Sequence, residues 1–435
     1  MKNHKLLFFV VLIFLAAMNP ASASAATHSG TVIDAATSKP IEGAFVTLGN
    51  TVVLTDQNGK FQMDGSGDML GIRAYGHMRQ AVAVSTPGKD APILLNPFSP
   101  RAVYLSLYGI GDKHLRESAL SLIKDTEINA LVIDLKGDVG KVAFRSATPL
   151  AAEIGAQKLI TIKDINSLAG DLHAKGIYTI ARIVVFKDDP LASAKPDLAI
   201  RTADGTIWKD REGLAWCNPF SKTVWDYNID LAVEAARAGF DEIQFDYVRF
   251  PDTPGLVYPV PNTEENRVGA ISGFLAEARK RLIPYNVFLA ADIFGYASWN
   301  ADDTHIGQKL KNLAEVVDYM SLMLYPSGFQ FGIPGYLNPV QHPREIVSLS
   351  LEKAKHRTGL PAVRFRPWLQ AFRDYAFDKR SFQDGEIRAQ IDAADTFGSD
   401  GWMLWNPHNI YNREVLRPSI KPLPVSPAIL GDEIP

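Results

Sequence analysis

An α/β protein, a (β/α)8 TIM barrel preceded by a small all-β sandwich domain, is predicted by three features of the 435-residue chain. Eight short apolar runs alternate with helical segments between residues 102 and 407. Before them, residues 27–97 show period-two alternation broken by turn residues, with no helical period. Long Pro-, Gly- and aromatic-rich segments, 187–221, 251–262 and 327–341, follow three of the runs, as loops on the C-terminal face of a barrel would.

The chain opens with Lys2 and Lys5, an apolar run from Leu6 to Met18, and small residues at Ala21, Ala23 and Ala25. This is the pattern of a signal peptide over residues 1–26, since the run is too short to span a bilayer. It predicts a secreted or periplasmic protein of a bacterium, with no transmembrane segment after cleavage. A single cysteine, Cys217, allows no intrachain disulfide and reads as a buried apolar side chain. A net charge of −3 argues against a nucleic-acid partner, which would ask for a basic surplus.

In the β segment, the pairs Lys39–Pro40 and the stretch 56–59 (DQNG) mark turns between strands. The pattern carried by Gly30, Val32, Asp34, Pro40, Ile41, Gly43, Ala44, Val46, Leu48, Thr55, Asp56, Gly59 and Phe61 resembles the carboxypeptidase regulatory-like domain. That resemblance implies a non-catalytic spacer or packing module over 27–97. A linker, 96–101 (NPFSPR), leads into the barrel segment, 101–420, and residues 421–435 form a Pro-rich C-terminal tail.

The eight runs are 102–110, 130–138, 178–186, 242–250, 288–296, 318–326, 363–372 and 400–407, with helices expected at 114–126, 222–238, 263–283 and 381–396. A doubly wound sheet would want a third glycine in the turn after the first strand, and LYGIGDKHL lacks it.

Residues two apart share a face of a strand. On the fourth run, GFDEIQFDYVRFP, this points Glu242, Gln244 and Asp246 to the barrel axis and Ile243, Phe245 and Tyr247 to the helices. At about 3.3 Å per residue, Asp246 lies near the C-terminal rim and Glu242 about 13 Å below it. The same counting sends inward Val132, Asp134 and Lys136, then Arg182, then Asp292 with Ala290 and Phe294. It adds Ser321, Met323 and Tyr325; Arg366, Trp368 and Gln370; and Trp402 with Asn406. A barrel core prefers branched aliphatic residues, so this much inward charge calls for a polar site.

Glycoside hydrolysis uses such equipment: one carboxylate that attacks or activates water, and a second that keeps a proton for the leaving oxygen. The catalytic candidates are Asp246, Asp292 and Asp134, with pairing to Lys136 as the structural alternative for Asp134. Arg249 would keep Asp246 ionised only if its side chain folds back, since its parity differs; otherwise Arg182 or Arg366 is expected to do so. The substrate-binding candidates are Arg182, Arg249, Tyr325, Arg366, Trp368, Gln370, Trp402 and Asn406, with Arg249 expected to order the strand rim and Trp368, Trp402 and Trp405 open to a core role. No metal ligand set and no cofactor are expected: H-x-H after the first strand, H-E-x-x-H, G-x-S-x-G, a P-loop and D-x-x-D-x-D-x-E are all missing from the sequence.

The string DEIQFDYVRFP, preceded by AARAGF, resembles the signature of a bacterial family assigned to the glycoside hydrolases, over about residues 102–410. Its barrel is distantly similar to the α-amylase-like clan. The resemblance implies a nucleophile at Asp246 and a general acid at Asp292, where the clan usually has glutamate. The clan's strand-seven carboxylate has no counterpart, Arg366 and Gln370 standing there instead. The function expected is an exported glycoside hydrolase acting on a polysaccharide or oligosaccharide. The alternative is a non-catalytic carbohydrate-binding or envelope structural protein.

Overall fold

The computed structural model describes residues 26–84 and 91–419. All but the last residue of the expected signal segment, and the expected tail, lie outside the described residues.

Seven strands build the N-terminal domain: β1 (Ala26–Asp34), β2 (Phe45–Leu48), β3 (Thr51–Leu54), β4 (Lys60–Gly65), β5 (Met69–Arg73), β6 (Gln80–Ala83) and β7 (Ile93–Leu95). They form two sheets, ordered β4-β1-β7 and β3-β2-β5-β6, antiparallel except for the parallel β1–β7 pair. Val32, Phe61, Met63 and Leu95 of one sheet bury against Val46, Leu48, Leu70 and Ile72 of the other, which makes the sandwich. Its tight turn depends on Asp56, whose carboxylate accepts the Asn58 and Lys60 N–H groups, and on Gly59 at φ +70°. A Cβ there would meet the Val32 carbonyl at 2.3 Å, so only glycine fits.

The barrel strands are β8 (Arg101–Leu105), β9 (Ala130–Lys136), β10 (Tyr178–Val184), β11 (Glu242–Asp246), β12 (Phe288–Phe294), β13 (Tyr319–Met323), β14 (Trp368–Gln370) and β15 (Trp402–Trp405). Each pairs in parallel with the next, and β15 closes on β8. The first run is split: Ser106 ends β8 by accepting the Gly109 N–H and starts a short helix, Leu107–Gly111. The seventh run yields only three strand residues after a 3-10 turn, Ala362–Arg364. The four expected helices form as Lys113–Asp125, Lys222–Arg237, Glu264–Leu282 and Asp384–Phe397. Three of them start at side chains that accept first-turn N–H groups, Asp112, Ser221 and Thr263. Helices at Ile165–His173, Leu310–Val316 and Pro343–Thr358 complete the outer ring.

Outward strand residues such as Leu131, Ile243, Phe245 and Ile293 join the large core beneath the helices. Inward residues near the strand starts, Tyr178, Phe288 and Tyr319 among them, form a second core that Tyr75, Met78 and Phe98 of the preceding segment cover. The N-terminal domain is therefore docked on the barrel floor. Arg79 donates to Asp241 at 3.0 Å and to the Tyr285 carbonyl, and the Asn286 amide donates to the Ile72 and Gln80 carbonyls. With the floor covered, the open end of the bore is the C-terminal rim.

Candidate active site

A cleft of about 230 Å³ opens at that rim, lined by Asp138, Arg182, Asp246, Asp292, Tyr325, Trp368 and Trp405 among others. Arg182, buried in mid-bore from β10, organises it. Its Nη1 donates to Asp134 Oδ1 at 2.6 Å and its Nη2 to Asp138 Oδ1 at 2.8 Å. Its Nε donates to Asp246 Oδ2 at 3.1 Å, a bond shared by Nη2, and stands 3.8 Å from Asp292 Oδ2. The guanidinium lies over the rings of Trp405 and Tyr104. Four carboxylates thus converge on one cation. Burial alone would weaken the Arg182 charge, but Asp134, Asp138 and Asp246 more than offset it and lift its pKa well above the usual arginine range.

The four acids have different environments. Asp246, at the end of β11, accepts from Arg182 through Oδ2 and from the Tyr247 N–H through Oδ1. Asp292, on β12, accepts from the Trp368 indole at 2.7 Å through Oδ1, while its buried Oδ2 has no hydrogen-bond partner. Burial first, and then the Asp246 charge, push its pKa well above the carboxylate range despite Arg182. Asp134 is covered by the Tyr104 hydroxyl, which donates at 2.6 Å; burial raises it to about 6 against the pull of Arg182. Asp138 stands past the end of β9 with 37% of its side chain exposed, open to the cleft.

Asp246 and Asp292 Oδ2 both lie near the one Arg182 Nε, at 3.1 and 3.8 Å, so they are less than about 7 Å apart. Asp246 is ion-paired, but the cleft opens above it. Tyr325 is half-buried at the same wall, its hydroxyl pKa raised by burial and by the charges of Asp292 and Asp246.

Several sequence expectations are corrected. A bulge in β9, where pairing steps from Arg182–Asp134 to Ile183–Lys136, turns Lys136 out of the bore. Lys136 instead pairs with Asp188 at 2.7 Å and donates to Asn228 of a surrounding helix, so it is not Asp134's partner. Arg366 points inward but lies at the floor, bound to Glu242 and to Asp400, and cannot reach the Asp246 carboxylate. Trp402 faces the helices, its indole donating to Asp395; Met403 and Trp405 take the inner positions of β15. Asn406 fastens the following loop through the Ala371 and Ile410 carbonyls. Gln370 binds Ser327 and the Phe372 carbonyl and does not line the cleft. Tyr247 does not continue the alternation of β11: at φ +47° it swings its ring into the cleft wall. A bulky residue at positive φ is uncommon and is held only by its surroundings, here the edge of Trp216. Arg249 follows it into the wall, over the Trp216 and Tyr247 rings. Sequence reasoning missed Asp138 and Tyr104 altogether; the charged turn KGD directly after β9 was the available signal for Asp138.

Among the described residues, no helix is long and apolar enough to cross a membrane. The family model described as "Putative glycosyl hydrolase domain" matches residues 102–411. A hypothetical protein from Ruminiclostridium thermocellum ATCC 27405 is 38% identical, covering 44% of this chain and 96% of its own, with a TM-score of 0.39. The glycoside hydrolase domain of PgaB (BpsB) from Bordetella bronchiseptica is 17% identical over 74% of this chain and 99% of its own, with a TM-score of 0.54. A β-galactosidase from the psychrophilic Marinomonas ef1 is 10% identical over 71% of this chain and 54% of its own, at 0.50. The last two share the fold. No curated protein matches the chain.

Proposed function

The chain belongs to this glycosyl hydrolase family, and we propose that it is an exported enzyme that cleaves a polysaccharide or oligosaccharide with two rim carboxylates. The observation that carries the reading is the unequal pair at the cleft: Asp246, whose oxygens face only donors, and Asp292, buried and inclined to keep its proton. Asp292 gives its proton to the leaving glycosidic oxygen. Asp246 attacks the anomeric carbon as that bond breaks, and a water that gives a proton to the now ionised Asp292 then breaks the sugar–Asp246 ester, freeing both carboxyl groups. Their spacing, below about 7 Å, admits the roughly 5–5.5 Å of direct carboxylate attack. Arg182 orients Asp246 and spreads its charge, Asp134 and Tyr104 fix Arg182, and Trp368 orients Asp292. Tyr325, at the cleft wall, offers its ring to the sugar. Export rests on the basic, apolar and small-residue pattern of residues 1–26.

The test is release of reducing ends from a polysaccharide panel by wild type, Asp246→Asn and Asp292→Asn, with melting curves to check folding. Loss of a general acid costs about 10²–10⁴-fold, and Asp246→Asn is expected to cost at least as much. Either folded variant retaining wild-type turnover overturns its assignment.

A further inference from the structure

Arg249 is the unusual charge of the cleft. Arg182 at the rim, Arg366 at the floor and Arg267 beside the rim are matched by carboxylates, while Arg364 and Arg357, outside the cleft, each use their guanidinium on two or more backbone carbonyls. Arg249 lines the cleft, yet among the described residues no carboxylate oxygen lies within 4.0 Å of it. Its one hydrogen bond is from Nη1 to the adjacent Phe250 carbonyl, at 3.1 Å. Asp246, Asp252 and Asp210 act on it only at longer range. It packs against two rings that meet edge to face, 4.9 Å from the Trp216 centroid and 5.1 Å from that of Tyr247. Lys187, over the same Tyr247 ring, is neutralised by Glu212 at 2.9 Å and Asp210 at 3.5 Å. Two carboxylates of the loop that supplies Trp216, Asp210 and Glu212, thus go to Lys187 and not to the guanidinium.

A guanidinium with unused donors, packed against two aromatic rings and open to a cleft, is a receptor for a planar or tetrahedral oxyanion. Resting on the glycoside hydrolase reading above, we infer that the substrate is an anionic glycan, and that Arg249 binds a carboxylate or ester-linked oxyanion on the sugar next to the bond that is cut. The left-handed turn at Tyr247 is what delivers this arginine to the cleft, since strict alternation would have sent it to the helices.

The experiment compares polygalacturonate and polyglucuronate with the same chains after carboxyl reduction, and dextran sulfate with dextran. Both binding and reducing-end release are measured for wild type, Arg249→Gln and Arg249→Lys. The expected result is preference for the charged member of at least one pair, the uronates or the sulfate ester. Arg249→Gln should lower affinity for that member about 10–100-fold and for its neutral partner less than about threefold, with Arg249→Lys between. Equal use of charged and neutral chains by wild type, equal loss on both in Arg249→Gln, or no charge-dependent binding overturns the inference. Arg249-dependent binding without hydrolysis keeps the anion site and sinks the hydrolase reading; hydrolysis indifferent to charge does the reverse.

Discussion

Two arginines sit at opposite ends of β11 in the barrel bore, one beside Asp246 and one beside Glu242, and both are buried among carboxylates. At the floor, Arg366 holds Glu242 and Asp400, with the Tyr178 hydroxyl closing on Glu242 at 3.0 Å and the Tyr319 ring under the guanidinium. At the rim, Arg182 holds Asp134, Asp138 and Asp246 and stands beside Asp292. The groups are alike, and burial raises an acid in each set, Glu242 below and Asp292 above. What differs is the lid. Tyr75, Met78 and Phe98 cover the floor, whereas the rim meets a cleft. A buried ion pair is weak evidence of function by itself. Access to substrate, and an excess of acids that obliges one to keep its proton, separate the reactive layer from the structural one.

Removing each arginine breaks the comparison most directly. Arg366→Met strands Glu242 and Asp400 where water cannot follow, and should cost about 3–5 kcal/mol in urea unfolding, with turnover of the folded protein within about threefold of wild type. Arg182→Met leaves acids that can take up protons or draw water through the cleft. It should cost less stability but reduce turnover at least about 100-fold, as loss of a fixed electrostatic group does. A large loss of turnover in folded Arg366→Met would erase the distinction.

A smaller effect concerns Asp134, the rim acid that the cleft does not reach. Its folded pKa of about 6 lies above the ordinary 3.8, so between these values the folded state binds more protons than the unfolded one. Its contribution is therefore complete below about pH 3.8 and is lost as pH rises through 6. Relative to Asp134→Asn, wild type should be favoured more at pH 4 than at pH 7, by up to about 3 kcal/mol. A gap between the two proteins that stays constant with pH would mean that this acid titrates normally.

The sequence carried the eight staves and the parity of β11 and β12, because each places a charge among apolar residues and so breaks its two faces apart. It did not carry three local events. The β9 bulge is invisible in IDLKGD, and one extra residue there moves Lys136 from Asp134 to Asp188. The positive φ of Tyr247 has no glycine to announce it. On β15, WMLW is apolar on both faces, as strands sandwiched between bore and helices are, so alternation could not choose between Trp402 and Trp405. Directly before this strand, Gly401 at φ +75° lies so close to the Pro100 carbonyl that a Cβ would strike it at 1.8 Å. Position on β11 already separated Asp246 at the rim from Glu242 in the depth of the barrel; the docked N-terminal domain adds that the Glu242 end is closed.

The finest test acts on one hydrogen bond. The Trp368 indole donates to Asp292 Oδ1, which favours the ionised acid and so opposes the burial that protects its proton. Trp368→Phe keeps most of the ring and removes that donor. Asp292 should then hold its proton to higher pH, and the basic limb of kcat against pH should move upward, by about one to two units given the roughly 1.5–3 kcal/mol worth of a hydrogen bond to a charged group. A purely packing role for Trp368 would lower activity at every pH and leave the limb in place. A downward shift would mean that the indole stabilises the protonated form, and the acid role would have to pass from Asp292 to another rim carboxylate.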